Sequence, residues 1–230
     1  MTRTRWIVFI AFCALVLGGL AYLSKKDNVD VSKTDSSKII TSTETAIGDH
    51  VYGNKDAKVM LVEYGDFQCP ACGAAYPQIK TIKEKYKDDI AFVFRNFPLT
   101  ALHPNALAAS SVAEAAALQG KFWEMHNKLY ESQDSWSNAS PEQRDSIFES
   151  YASEIGLNLE QFRTDRSSKK VSEKISRDQA LGRKVKVDGT PGIFLDNTKI
   201  SDETNSNLIQ GDGKKLTSEI EAAIKKNSGN

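Results

Sequence analysis

The sequence predicts an α/β fold with a helical insertion, preceded by a single N-terminal transmembrane helix. Three observations carry this expectation. Residues 6–23 hold no charged side chain. Between Lys58 and Arg95 a short apolar run, a helix opening at Cys69-Pro70 and a second apolar run follow one another. Residues 103–184 are then helical in pattern almost throughout, and a hairpin and a final amphipathic helix close the chain.

Trp6 to Leu23 (WIVFIAFCALVLGGLAYL) carries neither charge nor proline. As a helix it reaches about 27 Å, close to the hydrocarbon thickness of a bilayer. Arg3 and Arg5 precede it, which favours a cytoplasmic N-terminus and an exported remainder, although Lys25 and Lys26 on the far side weaken the asymmetry. The alternative is a cleaved signal peptide, with Gly19-Leu20-Ala21 as a small-x-small site and a secreted product. Cys13 lies inside this run behind the bulky Phe12 and reads as a small apolar residue facing lipid. Residues 24–46 are rich in Ser, Thr, Asp and Lys without an apolar period, and read as a flexible tether. The folded domain is expected over residues 47–230.

Val59 to Tyr64 is an apolar run consistent with a buried strand. Gly65 to Gln68 turns the chain, and Cys69-Pro70 opens a helix to about Tyr86, because proline's missing N–H costs nothing in a first helical turn. Pro77 falls inside that helix and predicts a kink near Gly73. Ile90 to Arg95 reads as a second buried strand. A strand–helix–strand unit favours a parallel pair. Helices are expected over 104–119, over 121–131, from the Ser140-Pro141-Glu142 start signal to Gly156, and once or twice between Asn158 and Val185. Ile193 to Leu195 pairs with Lys199-Ile200 as a hairpin after the Thr190-Pro191-Gly192 break, and 214–226 is the last helix.

Thirty Lys and Arg balance thirty Asp and Glu, so the chain lacks the basic excess of a nucleic-acid binder. Removing residues 1–24 takes away two arginines and no acid, leaving 28 basic against 30 acidic residues in a slightly acidic exported part. Forty per cent apolar residues suffice for a core and exclude a disordered chain.

Cys69 and Cys72 are the sharpest chemical feature. Cys69 stands at a helix N-terminus, where unpaired N–H groups and the helix dipole favour an anion, so it is the expected nucleophile. Cys72 continues into the apolar stripe Tyr76, Ile79, Ile82, Tyr86 and is expected to be more buried and to act as the resolving thiol. A ring this small adds little chain-entropy stabilisation, which argues against a structural staple. A zinc site would need four ligands from these two thiols and His50, His103 and His126; two idle core cysteines are the other bland reading. Neither explains two thiols at a helix start beside proline, whereas redox chemistry does.

The stretch Glu63-Tyr64-Gly65-Asp66-Phe67-Gln68-Cys69-Pro70-Ala71-Cys72 resembles the active-site segment of the DsbA-like branch of the thioredoxin superfamily. Arg95 to Leu99, His103 to Ala106, Gly120 to His126 and Gly189 to Gly192 are similar to that branch as well, so the resemblance covers about residues 50–225. It implies a thioredoxin fold with an inserted helical domain at about 103–185, with no cofactor beyond a redox-active Cys69–Cys72 disulfide. It also implies that Pro191 is a cis-proline facing that disulfide with Thr190 before it, and that Glu63 is a buried acid beneath the pair, able to relay the proton of Cys72. His103 and His126 match family positions but read as a helix-start and a helix-face residue, not ligands. The Pro70-Ala71 pair departs from the Pro-His pair of the strongest oxidants, which puts a highly oxidising potential in doubt.

The resemblance implies a membrane-anchored thiol–disulfide oxidoreductase acting on exported proteins, with a membrane redox partner that restores the Cys69–Cys72 pair. A reductase or isomerase is the rival in the same class. A non-enzymatic docking or chaperone module on the same scaffold is the rival in another. A monomer is the default expectation.

Overall fold

The structure is a computed structural model that describes residues 6, 10, 12–14 and 29–228. The expected membrane span therefore lies mostly outside the described residues. Among the described residues no helix is long and apolar enough to cross a membrane.

A five-stranded mixed sheet is built from β1 (His50–Gly53), β2 (Val59–Gly65), β3 (Ile90–Asn96), β4 (Gly192–Leu195) and β5 (Thr198–Lys199), in the spatial order β1-β3-β2-β4-β5. The β2–β3 pair is parallel, as a strand–helix–strand unit requires, and the other neighbours are antiparallel. Every residue of β2 and β3 is buried, which explains their unbroken apolar runs. The helix α1 (Pro70–Lys85) links them and continues through Pro77. Between β3 and β4 come α2 (Ala106–Ala117), α3 (Phe122–Glu131), the short α4 (Gln133–Trp136), α5 (Pro141–Glu154), α6 (Leu159–Asp165) and α7 (Lys169–Lys184). Ser140 caps α5 with the reciprocal Ser140–Gln143 bonds of a capping box. After β5 the chain forms α8 (Asp202–Ile209) and α9 (Lys214–Asn227).

The two faces of β2 divide the core. Leu61 packs with Phe92, Phe94, α1, α3 and α9 on one side, while Met60, Val62 and Tyr64 pack with Val93, Phe97 and Leu181 on the other. Glu63 follows the alternation onto the α1 side.

Three elements fall outside the sequence expectation, the single-turn α4 among them. The strand β1 is three half-buried residues and the exposed Gly53, with no alternating signal, formed because β3 offers an edge to pair with. The helix α8 is held by its Ser201 cap, whose hydroxyl accepts from the Thr204 N–H at 3.1 Å.

Residues 29–46 correct the expected flexible tether. They form turns laid over the sheet face opposite α1, and Val31 and Ile40 are buried with Val62, Tyr64 and Leu181. Polar groups from the sheet side hold this strap: the Arg95 guanidinium donates to the carbonyls of Ser36 and Lys38 at 2.9 and 3.0 Å, and the Lys184 ammonium donates to the carbonyls of Val31, Ser32 and Thr34. Composition alone could not show this, because the strap satisfies its backbone through side chains that are far away in sequence.

Beneath the strap lies a buried charge network. Asp49 pairs with Arg95 at 2.8 Å, Lys174 with Asp178 at 2.6 Å, and Glu114 with His50 at 2.8 Å. Asn96 donates to both Glu114 and Asp178 and so joins the pairs.

Candidate active site

Cys69 is the N-cap of α1, with an extended backbone (φ −65°, ψ 121°) and Pro70 in the first turn. The turn before it is locked from inside. The buried Asp66 side chain accepts from the Gln68 N–H at 2.8 Å and the Leu99 N–H at 2.9 Å, and pairs with the His103 ring at 2.7 Å. From α4, Gln133 donates to the carbonyls of Phe67 and Cys69 at 2.7 and 3.0 Å. Gly73 makes room for it, since a Cβ there would stand 2.4 Å from the Gln133 Oε1.

Across from Cys69 stands the loop before β4. Its Thr190–Pro191 peptide is cis, and the Cys69 Sγ donates to the Thr190 carbonyl at 3.3 Å. The Asn205 side chain of α8 donates to the Pro191 carbonyl at 3.2 Å and ties this loop down. Thus Thr190 and Pro191, 121 residues from Cys69 in sequence, lie beside it in space.

The electrostatics separate the two thiols. The hydrogen bond from the Cys72 thiol is the largest influence on Cys69, and with the Thr190 side chain and the N–H groups of Cys72 and Ala71 it outweighs burial and lowers the Cys69 thiol to about 5. Cys72 is fully buried, and burial first, then the hydrogen bond to Cys69 and the neighbouring charges of Cys69 and Glu63, hold its thiol well above the usual range. Glu63, below the pair, is 2% exposed. Burial pushes its carboxyl up to about 7, with Lys83 pulling down and Cys69 pushing further up. A carboxyl poised there can accept or return a proton near neutral pH.

Alkylation tests this polarity. With reduced protein, iodoacetamide is expected to modify Cys69 with a midpoint near pH 5. Cys72→Ala, which deletes the largest lowering influence, moves that midpoint upward; an unchanged midpoint would mean that helix N–H groups alone hold the thiolate.

The sequence model described as thioredoxin matches residues 45–212. The chain belongs to the thioredoxin family. Among curated relatives, the Na(+)/H(+) antiporter NhaA 1 of Mycolicibacterium vanbaalenii is 40% identical over 151 residues, covering 64% of this chain and 23% of that protein. The chain thus spans less than a quarter of the length of the curated relatives it matches first. Among solved structures, BdbD of Bacillus subtilis in its oxidised form superposes with a TM-score of 0.66 at 22% identity, over 82% of this chain and 97% of that one. Wolbachia pipientis alpha-DsbA1 superposes with a TM-score of 0.63 at 23% identity, over 77% and 92%. The fold of this thioredoxin-family chain is of the DsbA type.

Within this thioredoxin-family site the structure gathers the predicted residues Cys69, Cys72, Glu63, Thr190 and Pro191 at one end of β2. It adds Lys83, which the sequence reading passed over. The Lys83 ammonium lies 4.3, 4.8 and 5.4 Å from the ring centres of Trp123, Tyr52 and Phe92. It has no hydrogen-bond partner, and burial lowers it to about 8 while Glu63 pulls it back up. A signal was present: Lys83 falls at i+4 from Ile79 on the apolar stripe, where a lysine is out of place. His126 is buried among Phe67, Phe94 and Trp123, and burial holds its ring well below the usual range, so it is neutral. Among the described residues no group of three or more His, Cys, Asp or Glu is placed to hold a metal ion.

Proposed function

We propose that this chain is a thiol–disulfide oxidoreductase that forms or exchanges disulfides in exported proteins through Cys69 and Cys72. The observation that carries this reading is the polarity of the pair: a low-pKa thiolate at a helix N-terminus beside the Thr190–Pro191 loop, above a buried thiol and a buried carboxyl. A client thiolate attacks the Cys69 sulfur of the disulfide, and Cys72 leaves as a thiolate and takes a proton from Glu63. A second client thiolate then attacks the client sulfur of the mixed disulfide. The client leaves oxidised, and Cys69 is released as the stable thiolate. The Thr190 carbonyl beside Cys69 supplies an edge against which the client backbone lies.

A stabilised Cys69 thiolate stabilises the reduced enzyme and so makes its disulfide oxidising. Its value of about 5 falls between about 3.5 for the strong oxidant DsbA and about 7 for thioredoxin. The potential should therefore lie between about −120 and about −270 mV. The uncharged run at residues 6–23 behind Arg3 and Arg5 supports a membrane-anchored, extracytoplasmic placement with a membrane redox partner.

The test is trapping. In cells making Cys72→Ser, mixed disulfides at Cys69 with exported proteins should accumulate and vanish under reductant. Absence of any adduct, or a potential at or below that of thioredoxin, would sink the oxidising role.

A further inference from the structure

Every turnover passes through a charged Cys72 sulfur inside the core. Cys72 is fully buried, and its surroundings are largely apolar or negative: the charges of Cys69 and Glu63 both disfavour a second anion. The Asp66 N–H is the one favourable influence among those that act on it most strongly. A thiolate buried in this way needs a further donor.

Tyr130 of α3 is placed to supply it. Its ring is wedged among Phe67, His126 and Tyr76 at centre-to-centre distances of 5.0, 5.1 and 5.2 Å, so its orientation is determined by packing. Its hydroxyl is buried and has no hydrogen-bond partner. That hydroxyl stands over Gly65: a Cβ at this position would come within 3.0 Å of it, and within 2.3 Å of Phe94. Gly65 lies two residues beyond Glu63 on the same face of β2 and directly precedes Asp66, whose N–H bonds to Cys72, so the hydroxyl stands at the end of β2 near which Cys72 lies. After burial, Cys72 is the group that acts most strongly on Tyr130, with Glu63, Asp66 and Cys69 following. The other titratable groups packed against it are Tyr76 of α1 and His126 of α3; the Tyr76 hydroxyl is already spent on Glu131 at 2.9 Å.

We propose that Tyr130 is a further catalytic residue of the exchange reaction, its hydroxyl donating a hydrogen bond to the Cys72 thiolate as that charge forms. The proposal rests on the oxidoreductase reading above. When the enzyme is reduced by a client, the Cys69–Cys72 bond breaks and its electron pair stays on the Cys72 sulfur, under the Tyr130 O–H, until Glu63 delivers a proton. When Cys72 resolves a mixed disulfide, Glu63 takes the proton and the thiolate attacks Cys69 while the departing thiolate carries away the electron pair. Tyr130 keeps its own proton in both directions. An idle buried hydroxyl in the resting state is then the cost of a bond made only with the charged sulfur.

The experiment uses the reduced full chain in detergent, in a Cys13→Ser background, with Ellman's reagent as the probe. A first nitrothiobenzoate is released when Cys69 forms the adduct, and a second when Cys72 resolves it. In Tyr130→Phe the first phase should be unchanged, while the second slows about tenfold, the size of one hydrogen bond to a charged group, and its pH midpoint moves upward. Phe keeps the ring packing, and Tyr76→Phe, which removes a hydroxyl bonded elsewhere in the same cluster, should resolve at the parent rate. An unchanged second phase in Tyr130→Phe, or equal slowing in both variants, overturns the role of Tyr130 alone. A parent protein that releases no second nitrothiobenzoate overturns the oxidoreductase reading together with it.

Discussion

Cys69→Ser is expected to reduce disulfide exchange to the uncatalysed background while leaving the fold intact. The hydroxyl of serine does not ionise near neutral pH, so the thiolate that Cys72 and the helix N-terminus stabilise has no counterpart. The structural consequence is small and of the opposite sign. Position 69 is an N-cap with extended backbone that makes no side-chain cap bond, and serine is among the preferred N-cap residues. A serine oxygen there can accept from the first free N–H groups of α1, a gain of up to about 1 kcal/mol. Oxidation of a reduced two-cysteine peptide, followed by mass spectrometry beside a thermal melt, separates the two effects. Exchange at the parent rate in Cys69→Ser would remove Cys69 from the reaction, whereas lost exchange with a lowered melting temperature would point to misfolding.

The second large effect is on stability, far from the thiols. Lys174 is fully buried on α7 and its ammonium reaches both oxygens of Asp178, at 2.7 and 2.6 Å, and Asp49 at 3.9 Å. Burial pushes the Asp178 carboxyl up, and Lys174 restrains it. Burial pushes Asp49 up too, but Arg95 and Lys174 more than compensate and hold it below its usual value. Lys174→Met leaves the carboxylates of Asp49, Glu114 and Asp178 with Arg95 as the remaining permanent cation in the network. Removing one partner of a buried pair costs about 3–5 kcal/mol. For a domain of this size that is a fall in melting temperature of roughly 10 °C. The pH dependence follows from the sign: without Lys174 the folded-state value of Asp178 rises further above its unfolded value. The deficit is therefore full above that raised value and shrinks as pH falls through it. Melting curves from pH 8 downward check this; a variant as stable as the parent at neutral pH would show that the network relaxes without its lysine.

Several features were legible because they are local. The parallel β2–β3 pair followed from two apolar runs flanking a helix, and the start of α1 followed from Pro70, which needs no N–H there. The places of Cys69 and Cys72 on that helix were also legible, one at the open N–H groups and one fully buried on the apolar stripe. The Ser140 cap of α5 and the hairpin of β4 and β5 were equally visible. Others were not legible because their cause is a partner elsewhere. β1 is a strand because β3 presents an edge to it, and residues 29–46 look like a tether by composition but are pinned by Arg95 and Lys184. Lys83 departs from its stripe for a reason that only the rings of Tyr52, Phe92 and Trp123 explain.

The sequence by itself determined where the two cysteines sit on their helix and which thiol faces the open end, since 3.6-residue periodicity and the unpaired N–H groups of a first turn act over a few residues. Only the tertiary structure decided what surrounds the pair: the Thr190 carbonyl against Cys69, the Glu63 carboxyl beneath it, Lys83 in its cage and the unspent Tyr130 hydroxyl over Gly65. These groups come from β2, α1, α3 and the loop before β4. Their effect on a proton or a thiolate depends on distance through a low-dielectric core, which separation along the chain does not encode.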